Sequence, residues 1–341
     1  MKDPFVQAET KIAVIGGGTG SFTILSALKE HTSQLAAIVS MADDGGSTGV
    51  LRDELGALPP GDIRQCLVAL SDSPRIRDLF SYRFDGGTFE GHSFGNLFLT
   101  ALEKMTGDFT EAVETASEIL RVKGTVIPAT LDNIRLKMEW QDVSVELHGE
   151  RVIDAEFFKN DPRKAQLSLV PRAKPNPTAL LAIEQADIIV IAPGDLYTSL
   201  GPLLVIDGIG EALEQSKATK IYVANLVSKQ GQTDGFTVSD HASEIERLAG
   251  VNFLDAVIYN DQAPTPAVAK RYAAEGGKVT PVDLDNLHAA HYMSVGGNLL
   301  GPMASAHDSD VLPVTRSLIR HDTRAVAKLI MEVHQHVDSR R

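Results

Sequence analysis

The chain has 341 residues, 43% of them hydrophobic, which excludes a disordered polypeptide and fits one large α/β domain with an appended part, or two domains. Its 32 Lys and Arg against 45 Asp and Glu give a net charge of −13, which argues against nucleic-acid binding through a basic face. A small anion remains accommodable, because backbone amides and a few arginines set the local field.

Residues 1–10 hold no apolar run, so no signal peptide is expected. No stretch approaches the ~18 consecutive apolar residues of a membrane helix. A cytoplasmic protein without membrane insertion is the expectation. The single cysteine, Cys66, rules out an intramolecular disulfide and lies in the apolar segment 63–70, where a buried structural thiol is expected.

In chain order, the apolar run 11–15 predicts a strand buried on both faces of a parallel sheet. Gly16-Gly17-Gly18-Thr19-Gly20-Ser21 follows, then a helix over 22–31 with Ser21 as N-cap. A second strand over 35–40 opens into a long glycine-rich loop, 41–62, of the kind that carries function at strand ends. Helices are predicted over 63–70, 75–82, 97–105 and 108–120. Strands over 125–127, 134–140, 143–147 and 167–170 follow, the middle two as an antiparallel hairpin. Asn176-Pro177 starts a helix over 178–185. Strands over 187–192, 220–225, 254–260 and 278–282 then alternate with helices over 208–215, 239–248 and 266–274, and a last helix ends at His336. The alternation predicts an α/β protein with a doubly wound, mostly parallel Rossmann-like sheet, helices on both faces and a small β-rich insertion. The divisions are 11–123, an N-terminal part with a glycine phosphate loop; 124–172, the insertion; and 173–336, which completes the sheet.

The glycine loop places backbone N–H groups and a helix N-terminus where a phosphate can sit, through Gly17, Gly18, Thr19 and Gly20. It is not a dinucleotide fingerprint, because Ser21 stands where a third glycine is expected, nor a Walker loop, because no Gly-Lys-Ser/Thr follows. Asp43 and Asp44 are adjacent carboxylates that repel unless a cation, donors or solvent relieve them, so they read as Mg²⁺ ligands, a general base, sugar-hydroxyl acceptors or a solvated turn. Asp62 and Arg64 read as a local pair or as an arginine reaching a phosphate. His92 and Asn96, four apart at a helix start, share a face. Gly194 to Thr198 and Asn225 follow strands, at the carboxyl edge where doubly wound sheets bind ligands. Asp234 and Asp240-His241 are weaker candidates.

Taken together these segments resemble the gluconeogenesis factor (YvcK-like) family, within the superfamily of 2-phospho-L-lactate transferase (CofD-like). The likeness rests on Gly16 to Gly20, on Ala42-Asp43-Asp44-Gly45-Gly46-Ser47-Thr48-Gly49, on Leu58-Pro59-Pro60-Gly61-Asp62-Ile63-Arg64 and on Gly91-His92-Ser93-Phe94-Gly95-Asn96. Ala192-Pro193-Gly194, Leu196-Tyr197-Thr198-Ser199, Asn225-Leu226 and Arg320-His321-Asp322 extend it to nearly the whole chain. Asp195 departs from the family's usual serine and places a carboxylate where it would oppose a phosphate. The resemblance implies a cytoplasmic, UDP-N-acetylglucosamine-type nucleotide-sugar-binding regulator of cell shape and cell-wall growth under gluconeogenic conditions, without established turnover. It implies ligand contacts from Gly17, Gly18, Thr19, Gly20, Asp43, Asp44, Ser47, Asp62, Arg64, His92, Asn96, Gly194, Leu196, Thr198, Asn225 and Arg320. The alternative is a transferase moving a phosphorylated group from a nucleoside-diphosphate-linked donor. Mg²⁺ enters only there, with Asp43 or Asp44 as metal ligand or base. No cofactor is required otherwise, and a homodimer is the commonest assembly to expect.

Overall fold

The apolar run after Lys11 forms β1 (Ile12–Gly16), buried along its whole length. The computed structural model describes residues 9–266, 269–270, 278–301 and 320–339. Next come α1 (Gly18–Leu28), β2 (Leu35–Val39), α2 (Gly46–Leu55), α3 (Gly61–Leu70) and α4 (Pro74–Ser81). Then follow α5 (Phe94–Thr106), α6 (Phe109–Leu120), β3 (Thr125–Pro128), β4 (Arg135–Trp140), β5 (Val145–His148), α7 (Glu150–Ala155) and β6 (Gln166–Val170). The second half holds α8 (Pro177–Gln185), β7 (Ile188–Ile191), a wide helical turn Leu196–Leu200 running into α9 (Gly201–Leu204), and α10 (Ile209–Gln215). It ends with β8 (Thr219–Val223), α11 (Val238–Ala249), β9 (Ala256–Asn260), α12 (Leu284–Ala289), β10 (Met293–Gly297) and α13 (Thr323–Asp338).

Seven strands make one sheet in the order β10-β9-β8-β7-β1-β2-β3, every pair parallel. The period of two along each strand divides the core. Ile12, Val14, Ala37, Val39, Val190 and Val223 pack on one face with α1, α3, α6 and α13. Ala13, Ile15, Ile38, Ile191 and Tyr222 pack on the other with α8, α10 and α11. The sheet is therefore doubly wound. From β1 the chain moves outward to β2 and β3; from β7, beside β1, it moves the other way. That reversal is the topological switch point, where such sheets open a crevice at their carboxyl edge.

The three-stranded antiparallel sheet, β5-β4-β6, buries Leu136, Met138 and Trp140 from alternate positions of β4 against the second face of the core. β3 lies outside it: the strand predicted over 125–127 is an edge of the main sheet, paired with β2. Cys66 is buried in α3, as expected. Among the described residues no helix is long and apolar enough to cross a membrane.

Three further expectations change, and a fourth lies mostly outside the described residues. Helix α1 starts at Gly18, not after Ser21; Gly17 is its N-cap, and the Ser21 hydroxyl is buried without a hydrogen-bond partner among the described residues. The loop over 41–62 contains a full helix, α2, despite Gly46 and Gly49. The strand over 278–282 is only a bridge between Val227 and Val279, and the strand that closes the sheet is β10. Most of the helix expected over 266–274 lies outside the described residues.

At the switch point the two strand-end loops touch without a side chain between them. A Cβ on Gly20 would lie 1.5 Å from the Pro193 carbonyl oxygen, a backbone atom that cannot swing aside. Gly20→Ala should therefore cost about 3 kcal/mol or more, seen as a large fall in Tm; a wild-type melting curve would show that the loops can part. His321, buried beyond the end of β8, sets its Nε2 3.1 Å from the Ala224 carbonyl oxygen. Burial lowers its pKa to about 4. The unfolded chain takes up this proton near pH 6.5 and the folded one does not, so stability is intact above pH 6.5 and falls towards pH 4, by about 3 kcal/mol in all. Denaturant melts across pH 4–7 should show His321→Gln with a shallower loss than wild type.

Candidate functional site

Three helices of the N-terminal half start at the carboxyl edge with no side chain capping them. The N-caps Gly17 of α1, Gly45 of α2 and Pro60 of α3 make no side-chain cap bond, as is also true of Ser73 at the peripheral α4. By contrast Asp108, Asn176, Thr237 and Asp322 cap α6, α8, α11 and α13. Uncapped first turns carry N–H groups and a partial positive charge that attract acceptors and anions.

Protein carboxylates already stand at those ends. Asp62, in the first turn of α3, lies over the glycine loop: a Cβ on Gly17 would be 2.3 Å from its Oδ2, one on Gly18 3.8 Å from its Oδ1. Asp43 sits between α2 and α3, its Oδ1 accepting from the Gly45 N–H at 3.0 Å and its Oδ2 facing Gly61 and Thr48. Burial raises the Asp43 carboxyl above its ordinary value; the Gly45 N–H and Thr48 oppose this and Asp44 adds to it.

Asp44 does not share this direction. Its Oδ1 accepts from the Arg151 N–H at 2.7 Å and its Oδ2 from Arg135 at 3.2 Å, which ties the turn to the antiparallel sheet. Asp43 and Asp44 therefore do not face one point as a pair. Adjacent side chains on this extended turn point apart, and among the described residues no three His, Cys, Asp or Glu side chains are placed to hold a metal ion.

Four predicted residues do meet. His92 Nδ1 lies 2.9 Å from Ser47 Oγ, Asn96 Nδ2 donates to the same hydroxyl at 3.3 Å, and Arg64 Nε donates to Asn96 Oδ1 at 2.9 Å. Ser93 caps α5 by accepting from the Asn96 N–H, which fixes the start of that helix. Gly95 is required beside them, since a Cβ there would lie 2.6 Å from Arg64 Cδ. This chain joins the first turns of α2, α3 and α5 next to the glycine loop.

The β7 side is set by Asn225. Its Nδ2 donates to the Gly194 carbonyl at 2.7 Å, its Oδ1 accepts from the Gly194 N–H at 3.3 Å, and Tyr222 OH donates to that Oδ1 at 3.1 Å. Asn225 thereby acts like a short strand pairing that holds the Gly194 turn. Thr198 is buried and donates to Asp154 at 3.3 Å. Leu196 is buried in the core. Arg320 is exposed and held by its backbone, its carbonyl accepting from the Gly301 N–H; no described contact brings it to the glycine loop. Asp240 and Thr237 form the capping box of α11, and His241 is buried on that helix, which accounts for both structurally.

The sequence reading missed three charged residues. Glu150, at the start of α7, faces Gly45. Burial, reinforced by Asp43, Asp154, Asp44 and Asp62, pushes its carboxyl up to about 9. Asp154 on the same helix and Lys229 beyond β8 are joined by an ion pair at 2.8 Å. Glu150 and Asp154 come from the segment read as an insertion and Lys229 from between a predicted strand and helix, and no local pattern marks them.

The family described as 2-phospho-L-lactate transferase CofD matches residues 12–300. The gluconeogenesis factor of Bacillus subtilis is 37% identical over 326 residues, which cover 95% of this chain and 98% of that protein. A Nostoc sp. relative is 46% identical over 279 residues, 81% of this chain but only 60% of that longer protein. The crystal structure of a upf0052 family protein from Bacillus halodurans matches with a TM-score of 0.84 at 36% identity, covering 95% of this chain and 99% of that one. This chain belongs to the CofD-like family, among its gluconeogenesis-factor members.

Proposed function

We propose that the chain binds a nucleotide sugar of the UDP-N-acetylglucosamine type at the switch point and acts as a cytoplasmic regulator of cell shape and cell-wall growth under gluconeogenic conditions, not as a catalyst. The observation that carries this is the His92–Ser47–Asn96–Arg64 chain beside the glycine loop, which sets polar groups and one guanidinium around a crevice bounded by the Asn225-held turn. Arg64 and the first turn of α1 would meet the diphosphate. Asp43, Asp62 and Asn96 would bond sugar hydroxyls, which suit the carboxylates better than a phosphate does. Protein partners and a homodimer belong to the same proposal as the output of a regulator.

A second reading, the transferase, is favoured by Glu150. A carboxyl that keeps its proton at neutral pH is a donor for a leaving group, beside the Asp43 carboxylate. Calorimetric titration with UDP-N-acetylglucosamine, UDP-glucose, GDP and NAD, each with and without Mg²⁺, separates the two. The regulatory reading expects tight UDP-sugar binding without Mg²⁺ and without breakdown. Preference for GDP, with affinity only in Mg²⁺, would replace it by the transferase.

Arg64→Ala should weaken the diphosphate ligand by about 1.5–3 kcal/mol, the scale of a charged hydrogen bond; an unchanged affinity in a folded variant removes Arg64 from the site. Glu150 makes a separate prediction. Its folded pKa is raised, so its contribution is fully present below the ordinary carboxylate range and is lost as pH rises towards 9. Glu150→Gln should match wild type in stability near pH 4.5 and exceed it at pH 8 by about 1–3 kcal/mol, read from urea midpoints. A constant difference across that range would show that Glu150 ionises normally.

A further inference from the structure

Lys229 is a half-buried ammonium shared by two carboxylates from different parts of the fold. Its Nζ donates to Asp154 Oδ1 on α7 at 2.8 Å and to Asp195 Oδ2, in the turn after β7, at 3.1 Å. Thr198 donates to the same Asp154 oxygen. The loop that carries Lys229 grips α7 further along. Gln232 Nε2 donates to the Ile153 carbonyl at 2.7 Å and to that of Asp154 at 3.2 Å, and the Phe158 N–H donates to the Gly231 carbonyl at 2.8 Å. At its other end α7 is tied to Asp44 through the Arg151 N–H, with Glu150 facing Gly45.

Without Lys229, Asp154 and Asp195 would face each other as like charges. Although burial pulls the ammonium down, Asp195 and Asp154 raise it overall, so it stays charged at neutral pH. We propose that Lys229 is a positioning residue for the switch-point site: by bridging Asp154 and Asp195 it seats α7, and with it Glu150, across the mouth of the crevice. The ligand part of this rests on the reading given above; the seat does not.

Trp140, the chain's single tryptophan, reports on that seat. Its ring lies 5.3 Å from Phe158, whose ring lies 5.8 Å from Tyr197, between Asp195 and Thr198. Its Nε1 donates to the Asp161 carbonyl at 2.8 Å. Lys229→Met should red-shift Trp140 emission and raise its quenching by acrylamide, and should weaken UDP-N-acetylglucosamine at least tenfold, with far-UV circular dichroism unchanged. Adding Asp154→Asn and Asp195→Asn to that variant should restore both values to within threefold, because the two side chains lie within hydrogen-bonding reach and amides, unlike two carboxylates, can bond to each other and rebuild the bridge. Lys229→Arg should keep both. Asp154→Ala, which leaves Lys229 and Asp195 in place, should reproduce the Trp140 change even if the methionine variant fails to fold. An unchanged Trp140 signal in the methionine and alanine variants overturns the proposal. So does a loss of affinity that the amides do not rescue, which would mean that Lys229 touches the ligand itself. Failure of the wild-type chain to bind any UDP-sugar overturns the ligand reading alone, and the Trp140 measurements then decide the seat.

Discussion

The backbone contact between Gly20 and Pro193 sets the geometry from which the rest of the site follows. Strands β1 and β7 lie side by side, and beyond their carboxyl ends the chain must leave in opposite directions. With Gly20 against the Pro193 carbonyl, the first turn of α1 and the turn at Gly194 become the two walls of the switch point, packed directly on each other at the edge where sheets of this topology bind ligands. Asn225 then fixes the second wall by bonding both polar groups of Gly194. Neither device uses the hydrophobic core, which lies on the two faces of the sheet. The core holds the strands, and a few polar and glycine contacts hold the ends of the strands.

The electrostatics of this edge differ from those of a simple phosphate cradle. In a chain of net charge −13, the helix ends at the crevice meet the protein's own carboxylates: Asp62 over the glycine loop and Asp43 between α2 and α3. Each is favourable locally, since a carboxylate at a helix N-terminus is stabilised by the N–H groups there. Together with Glu150 and Asp154 they crowd one region with acid, and the response is protonation of Glu150 rather than expulsion of its side chain. A ligand rich in hydroxyl groups can donate to such a surface, whereas a phosphate needs the Arg64 side or the displacement of an acid.

Much of the fold was legible because buried parallel strands write themselves as unbroken apolar runs, as β1, β2 and β7 do, while β8 and β9 keep an apolar centre beside Thr219-Lys220 and Asn260. The failures have physical reasons. β10, at the sheet edge, contains Met293, Ser294 and two glycines and is only partly buried, so it carries little pattern. α2 was hidden by Gly46 and Gly49, but Gly49 is dictated by tertiary contact: a Cβ there would lie 2.2 Å from the Asp44 carbonyl oxygen. Arg64, His92 and Asn96 were legible as polar residues at predicted helix starts, whereas Ser47 entered only through the family resemblance. The separation of Asp43 from Asp44 was not legible, because it depends on Arg135 of β4 and the Arg151 N–H of α7, both distant in sequence.

Asp195 shows why the charge of one residue cannot be judged in its own loop. Standing where relatives of this family usually carry serine, it reads in the sequence as a carboxylate set against a phosphate. In the fold it faces Lys229, thirty-four positions away, which lies within 3.1 Å and also holds Asp154. The extra negative charge is thus met by a cation that belongs to the wall of the crevice and is turned into a tether for α7. A serine would leave Lys229 with Asp154 alone, a bond that still crosses from the loop beyond β8 to α7 but lacks its anchor in the turn after β7. The substitution therefore bears less on what the crevice binds than on how firmly α7 is held over it.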